Sequence, residues 1–310
     1  LSAVVVIALL VAGLAMGAIG ASLTGNKSFL SEPEIHMPPQ KVFLSEAEEG
    51  HGVDAPEEGH GGGTVGSGDG FVVTNTLLSS WIVSVLLVML FYSATRRMAL
   101  VPRGLQNLME MAVEALHSFV EGVAGPSNVR RFFPIIATIF LFVMLNAWIG
   151  LLPIYPSLGF LGDNGEIQRH LLRPAGTDLN MTLALALTSF VFVEFWGFRL
   201  LGRHYVGKFL RLENLRRGNF LQVPIDLFVG ALELLSEFVR IISFTFRLFG
   251  NMTAGEILIL VVTFLVPFVA LLPFYGLELL VGFVQALIFA GLTLVFVVVA
   301  VTPHGEEEHS

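Results

Sequence analysis

An arginine interrupts the most apolar part of this chain. Residues 244–256 read Phe-Thr-Phe-Arg-Leu-Phe-Gly-Asn-Met-Thr-Ala-Gly-Glu, with long hydrophobic runs on both sides. A charged side chain at bilayer depth costs about 2.5–3.5 kcal/mol on insertion scales. A segment that only had to span a membrane would place leucine at 247. Arginine cannot escape burial by losing its proton. Arg247 therefore supplies a permanent positive charge inside an apolar layer, and a partner for it must exist.

Further ionisable groups share these apolar segments: Asp226, Glu233, Glu237, Arg240, Glu256 and Glu278, with Glu194 in the segment before. Carboxylates around a fixed cation can bind, hand on and release protons. Spacing sorts them. Glu233, Arg240 and Arg247 recur every seven residues, and Glu237 lies three before Arg240. On a helix these form one stripe, and Glu237 with Arg240 reads as a structural ion pair across one turn. Arg247 has no carboxylate three or four residues away; Ser243, Phe244, Gly250 and Asn251 hold those positions. Its partner is expected on another chain. Glu256 lies nine residues past Arg247, about two and a half helical turns, so the two should point to opposite faces. Asn251, four past Arg247, should share its face. Glu233 and Glu194 each read either as a solvated helix-end residue or as the lining of a water-filled cavity. Asp226 lies near a helix entry, where solvation is the default.

The elements that carry these groups are membrane spans. Mean hydropathy is +0.77, and 54% of residues are hydrophobic against 14% charged; a soluble domain carries about 25% charged residues. Apolar runs of spanning length cover 72–94, 132–152 and 179–198, and two longer ones cover 221–266 and 268–301, broken by Pro267 and Pro273. Between the first two, 104–123 has apolar residues on one helical face and Gln106, Asn107, Glu110, Glu114, His117 and Glu121 on the other. That pattern predicts a helix lying on the membrane surface or on a partner. Residues 1–23 are uncharged and apolar; they read as a retained helix in preference to a secretory signal, since no basic n-region is present. Residues 24–70 are rich in Gly, Glu, Pro and His and cannot bury a core, so they read as a polar linker outside the cytoplasm. His51, Glu57, Glu58 and His60 have no fixed ligand spacing there, and no metal or cofactor is expected. The membrane domain is 71–302, and 303–310 are expected to form a cytoplasmic tail.

Eleven of the 17 Lys and Arg residues lie in 96–131 and 199–217. Both groups flank spans on one side, and the positive-inside rule assigns that side to the cytoplasm. The loop 153–178 then faces outward. The chain has no Cys, which excludes disulfides and thiolate metal sites. No basic surface suited to nucleic acid is present. No HExxH, GxSxG or GxGD pattern appears, so an intramembrane hydrolase has neither nucleophile nor metal site.

The run Arg-Leu-Phe-Gly-Asn-Met-x-Ala-Gly-Glu, Arg247 to Glu256, closely resembles the signature of subunit a of F-type ATP synthases. Asp178-Leu179-Asn180-Met181-Thr182 is similar to that family's middle-helix motif, and Asn146 with Gly150-Leu151-Leu152-Pro153 to the end of the preceding span. Gln285 matches a further position, and the resemblance covers roughly 72–302.

The resemblance implies an all-α polytopic membrane protein with a long, tilted C-terminal helical hairpin lying against a rotor ring. It implies a proton-conducting stator that performs no chemistry on ATP and provides two half-channels. Arg247 would discharge carboxylates on a ring of small hairpin subunits, subunit c. Glu256 and Glu278 would relay protons, with Asn251 and Gln285 as polar walls. Many relatives carry histidine at one of the two acidic positions, where this chain has glutamate at both. Asp178 would belong to the outer half-channel or cap its helix. Subunit b of the peripheral stalk, the rest of the complex and the lipid bilayer are the other implied partners. The implied location is an energy-transducing membrane, the bacterial inner membrane. The alternative is an ion-coupled transporter or channel without a rotor, which would use Arg247 to hold an anion. No internal repeat of the kind transporters show is visible.

Overall fold

The computed structural model describes residues 2–19, 22, 73–152, 158–161, 167–202 and 223–302. The linker 24–70 with its histidines, the basic stretch 203–217 and the tail 303–310 lie outside the described residues. Seven α-helices are described: α1 Ser2–Met16, α2 Asn75–Thr95, α3 Leu105–Ala124, α4 Val129–Gly150, α5 Leu179–Leu201, α6 Val223–Leu265 and α7 Leu272–Val301. Five regions are long and apolar enough to cross a membrane: Asn75–Thr95, Val129–Gly150, Leu179–Leu201, Pro224–Leu265 and Val269–Val301. The loop 153–178 carries a short antiparallel pair, β1 Gly159–Leu161 and β2 Ile167–His170, which hydropathy did not signal. It also carries a 3₁₀ turn at Ala175–Thr177.

α3 packs its apolar face on α4 through Leu116 and Val120, while Glu110, Glu114 and Glu121 stay exposed. Gln106 donates to Glu110 at 2.7 Å, and His117 and Glu121 approach to 3.6 Å one turn apart. This is the one-sided helix that the periodicity predicts. Gly125, at φ 77°, turns the chain from α3 into α4 in a conformation that only glycine adopts without strain.

α4, α5 and α7 form the packed centre. Phe132, Ile136, Phe289, Leu294 and Val297 are almost wholly buried there. Two polar contacts fix the register. Ser189 and Thr293 hydroxyls meet at 2.7 Å across α5 and α7, and Trp148 Nε1 donates to the Leu279 carbonyl at 3.0 Å across α4 and α7. At one end, Trp196 lies within cation–π range of Arg131 (5.9 Å) and Arg199 (5.8 Å). These arginines therefore mark a common end of α4 and α5, as the positive-inside argument requires.

α6 runs without a break through Gly250 and Gly255. Its 43 residues make a rod of about 65 Å at 1.5 Å per residue, against a hydrocarbon core of about 30 Å. A helix that long and that apolar cannot cross perpendicular to the bilayer. A 3₁₀ turn, Phe268–Leu271, opened by Pro267, reverses it into α7, whose second residue is Pro273. Proline fits there because the first turn of a helix has no intrahelical use for its N–H. α1 docks on this turn: Gly17 lies so close to the Leu265 carbonyl and Pro267 that a Cβ would not fit.

Candidate functional site

The hairpin places the sequence-derived residues on different faces of α6. Because the helix is regular, the nine-residue spacing does separate Arg247 from Glu256 by half a turn. Arg247 is half-buried. Its guanidinium lies 5.7 Å from the Phe244 ring, and it makes no ion pair among the described residues. Ser243, Gly250 and Ala254, which flank it along the same side, are all exposed. The arginine thus stands on an open strip of small residues, with its charge unanswered by the described residues.

Two to three turns before it, Glu237 and Arg240 meet at 2.5 Å, with Glu237 only 3% exposed and Arg240 lying 3.8 Å over the Phe296 ring of α7. Removing one partner of a buried pair leaves the other charge uncompensated, at about 3–5 kcal/mol. Arg240→Ala is therefore expected to lower the amount of subunit recovered in membranes. The double change Glu237→Gln with Arg240→Met should restore part of it, as an immunoblot of washed membranes would measure.

Asn251 is exposed yet turned toward α7, donating from Nδ2 to Gln285 Oε1 at 2.6 Å. Gln285 is 2% exposed, and its Nε2 has no partner among the described residues; Asn146 Oδ1 on α4 is likewise buried and unmatched. Glu278 is 7% exposed and presses its carboxylate against Gly255, where any Cβ would collide with it. Gly255 is thus the point at which α6 and α7 come close enough to admit a carboxylate and nothing more.

Glu256, the next residue, is held by the loop before α5. Arg173, in the segment before the 3₁₀ turn, donates from Nη2 to Glu256 Oε2 at 3.0 Å. Arg173 is 9% exposed, and its backbone N–H donates to Ser79 Oγ of α2 at 3.2 Å. The segment is wedged in place by close approaches at both ends: Pro174 against Gly150, and Gly176 against Met252 of α6.

Asp178 joins the same cluster. It caps α5, Oδ1 accepting from the Asn180 N–H at 2.9 Å, and Oδ2 accepts from Thr76 Oγ1 of α2 at 2.7 Å. The capping role offered by the sequence is observed, and the same carboxylate ties α5 to α2. Asn75, Thr76, Ser79 and Ser80 of α2 and Thr177 and Thr182 beside them are all buried. A buried polar wall of this kind runs from the N-terminal end of α2 to Arg173, which holds Glu256. Sequence reasoning singled out none of these α2 residues, nor Arg173. Their signal was present: 75, 76, 79 and 80 fall one turn apart on one helical face. Glu194, Glu233 and Asp226 lie apart from this wall along α5 and the early part of α6.

Five spanning regions among the described residues, two of them the long helices of a C-terminal hairpin, define an all-α polytopic membrane protein. The family described as ATP synthase A chain matches residues 77–298, and the chain belongs to that family, whose members are the proton-conducting stator subunit of F-type ATP synthases. Among curated relatives, the ATP synthase subunit a of Gloeobacter violaceus is 35% identical over 231 residues, covering 74% of this chain and 85% of the relative. The subunit a of Solidesulfovibrio magneticus is 32% identical, covering 73% and 83%. That of Moorella thermoacetica is 29% identical, covering 73% and 89%.

Proposed function

We propose that this chain presents Arg247 to the carboxylates of a rotating ring of small hairpin subunits, and that Glu256 and Glu278 serve two separate aqueous paths to it. The observation that carries the reading is the position of Arg247: mid-helix, half-buried, unpaired among the described residues, on a strip of Ser243, Gly250 and Ala254. Small residues let a second helix come close enough for its carboxylate to reach the guanidinium. A cation there favours the charged form of an arriving carboxylic acid, which releases its proton. The same fixed charge repels protons, so the two paths do not leak into one another. Each charge moved across ~100 mV supplies about 2.3 kcal/mol, which rotation delivers to the soluble sector.

The outer path is the polar wall of α2 and the 173–178 segment, ending at Glu256. The buried, unmatched atoms of Asn146 and Gln285 extend a polar track along α4 and α7 near Glu278, where ordered water would satisfy them. Peripheral-stalk subunit b and lipid cover other exposed apolar surface. A bacterial inner membrane is the proposed location.

Cysteine cross-linking tests the facing. Ala254→Cys should form a disulfide with a cysteine placed near the carboxylate of the ring subunit. Glu256→Cys should not, and should react instead with a small water-soluble thiol reagent supplied from the outer side. Equal cross-linking at the two positions would show that α6 does not present one face to the ring.

A further inference from the structure

We propose that Arg173 is a positioning residue for proton entry: it holds the Glu256 carboxylate against the outer polar wall and releases it when a proton arrives. The inference rests on the reading of Glu256 as a relay and adds the group that controls it. Three observations carry it. The guanidinium is buried and donates to Glu256 at 3.0 Å. Its backbone is tied to Ser79 and its neighbour Gly176 is seated on Met252, so its position is set by α2 and α6 together. Glu278 presses on Gly255, the residue next to Glu256, from the α7 side. Two carboxylates therefore flank one stretch of α6, and the arginine draws one of them away from the other.

The chemistry is a proton-for-arginine exchange. While ionised, Glu256 is kept at the outer wall by charge and hydrogen bond. A proton from the outer side binds the carboxylate oxygen, and the neutral acid no longer attracts the guanidinium. The side chain is then free to turn along α6 toward the ring. On returning its proton it becomes a carboxylate again and is recaptured. Arg173 keeps its own protons throughout, so nothing is consumed, and one proton passes per exchange. A fixed arginine suits this use better than lysine, because its planar fork orients the carboxylate as well as attracting it.

The test uses the whole complex in inverted membrane vesicles, with assembly checked by ATPase activity and immunoblot. Arg173→Gln should lower ATP-driven proton pumping by roughly tenfold or more, as misplacement of a reacting group by about 1 Å does, with assembled complex still present. Arg173→Lys should fall between the two. Glu256→Asp, which shortens the carboxylate out of reach, should lower pumping too, and adding Arg173→Gln to it should cost little more. A merely structural arginine would instead give losses that multiply. Normal pumping by Arg173→Gln overturns the proposal, and so do multiplying losses. If Arg173→Gln does not assemble, Arg173→Lys decides: normal pumping with the ammonium in place overturns the orienting role, and a several-fold loss in assembled complex supports it. If Glu256→Gln pumps normally, the relay reading itself fails. A normal Arg173→Gln beside an inactive Glu256→Gln removes this inference alone.

Discussion

Arg247→Ala is expected to abolish ATP-driven proton pumping while leaving the complex assembled. On the proposed reading the fixed charge discharges an arriving ring carboxylate, and Arg240, seven residues earlier on the same face of α6, cannot replace it because it is paired with Glu237. Losing one preorganised electrostatic group at a reacting centre costs on the order of 10²–10³-fold in rate, and here the loss should reach the limit of detection. Arg247→Lys should rescue poorly, since an ammonium sheds its proton on burial far more readily than a guanidinium does. Assembly should survive because Arg247 makes no ion pair with described residues, so its removal strands none of their carboxylates. Acidification of inverted vesicles, followed with a fluorescent pH probe, reads the outcome. Near-normal pumping would sink the assignment of Arg247.

Gly255→Ala is expected to cost roughly 10²-fold in proton flux, the scale of a 1 Å displacement at a reacting group. The added methyl group would occupy the space of the Glu278 carboxylate. The helix itself should tolerate the change, because alanine is the better helix former, and the colliding atoms are the free end of a side chain that can swing aside. The effect should therefore fall on transport and spare assembly. Glu278→Gln, which keeps the shape but removes the exchangeable charge, should match it. Passive proton flux through vesicles stripped of the soluble sector measures both. If Gly255→Ala conducts normally, Glu278 has no fixed place in the path.

The parts of this architecture set by local rules were legible beforehand. Spans follow from uninterrupted apolar length, and the 104–123 helix from its one-sided periodicity. The opposition of Arg247 and Glu256 needed only nine residues and a regular helix, and α6 is regular. What hydropathy could not supply was the partner of each charge. The resemblance named Glu256 and Glu278 as relay positions without saying what holds either. Side-chain direction supplies that: Gly255 lies against Glu278 of α7, and a 100° turn carries Glu256 to Arg173. Arg173 was hidden by its setting in a polar outward loop, where an arginine is ordinarily solvated. Its burial arises because the 3₁₀ turn folds back between α2, α4 and α6, a tertiary event with no local periodicity. The buried polar face of α2 was hidden in the opposite way, by a hydrophobic average that four small polar residues barely lower. Asn251 shows the same limit, sharing the side of Arg247 by spacing while its amide is claimed by Gln285.

The most direct test is a high-resolution map of the assembled complex in which side chains of both the stator and the ring are visible. The account predicts the Arg247 guanidinium at the stator–ring boundary, within about 4 Å of one ring carboxylate, the distance of an ion pair, or joined to it by a single water, with Ser243, Gly250 and Ala254 packed against the ring helices. An Arg247 facing lipid, or paired to a carboxylate of its own chain while the ring carboxylates pass another surface, would contradict it.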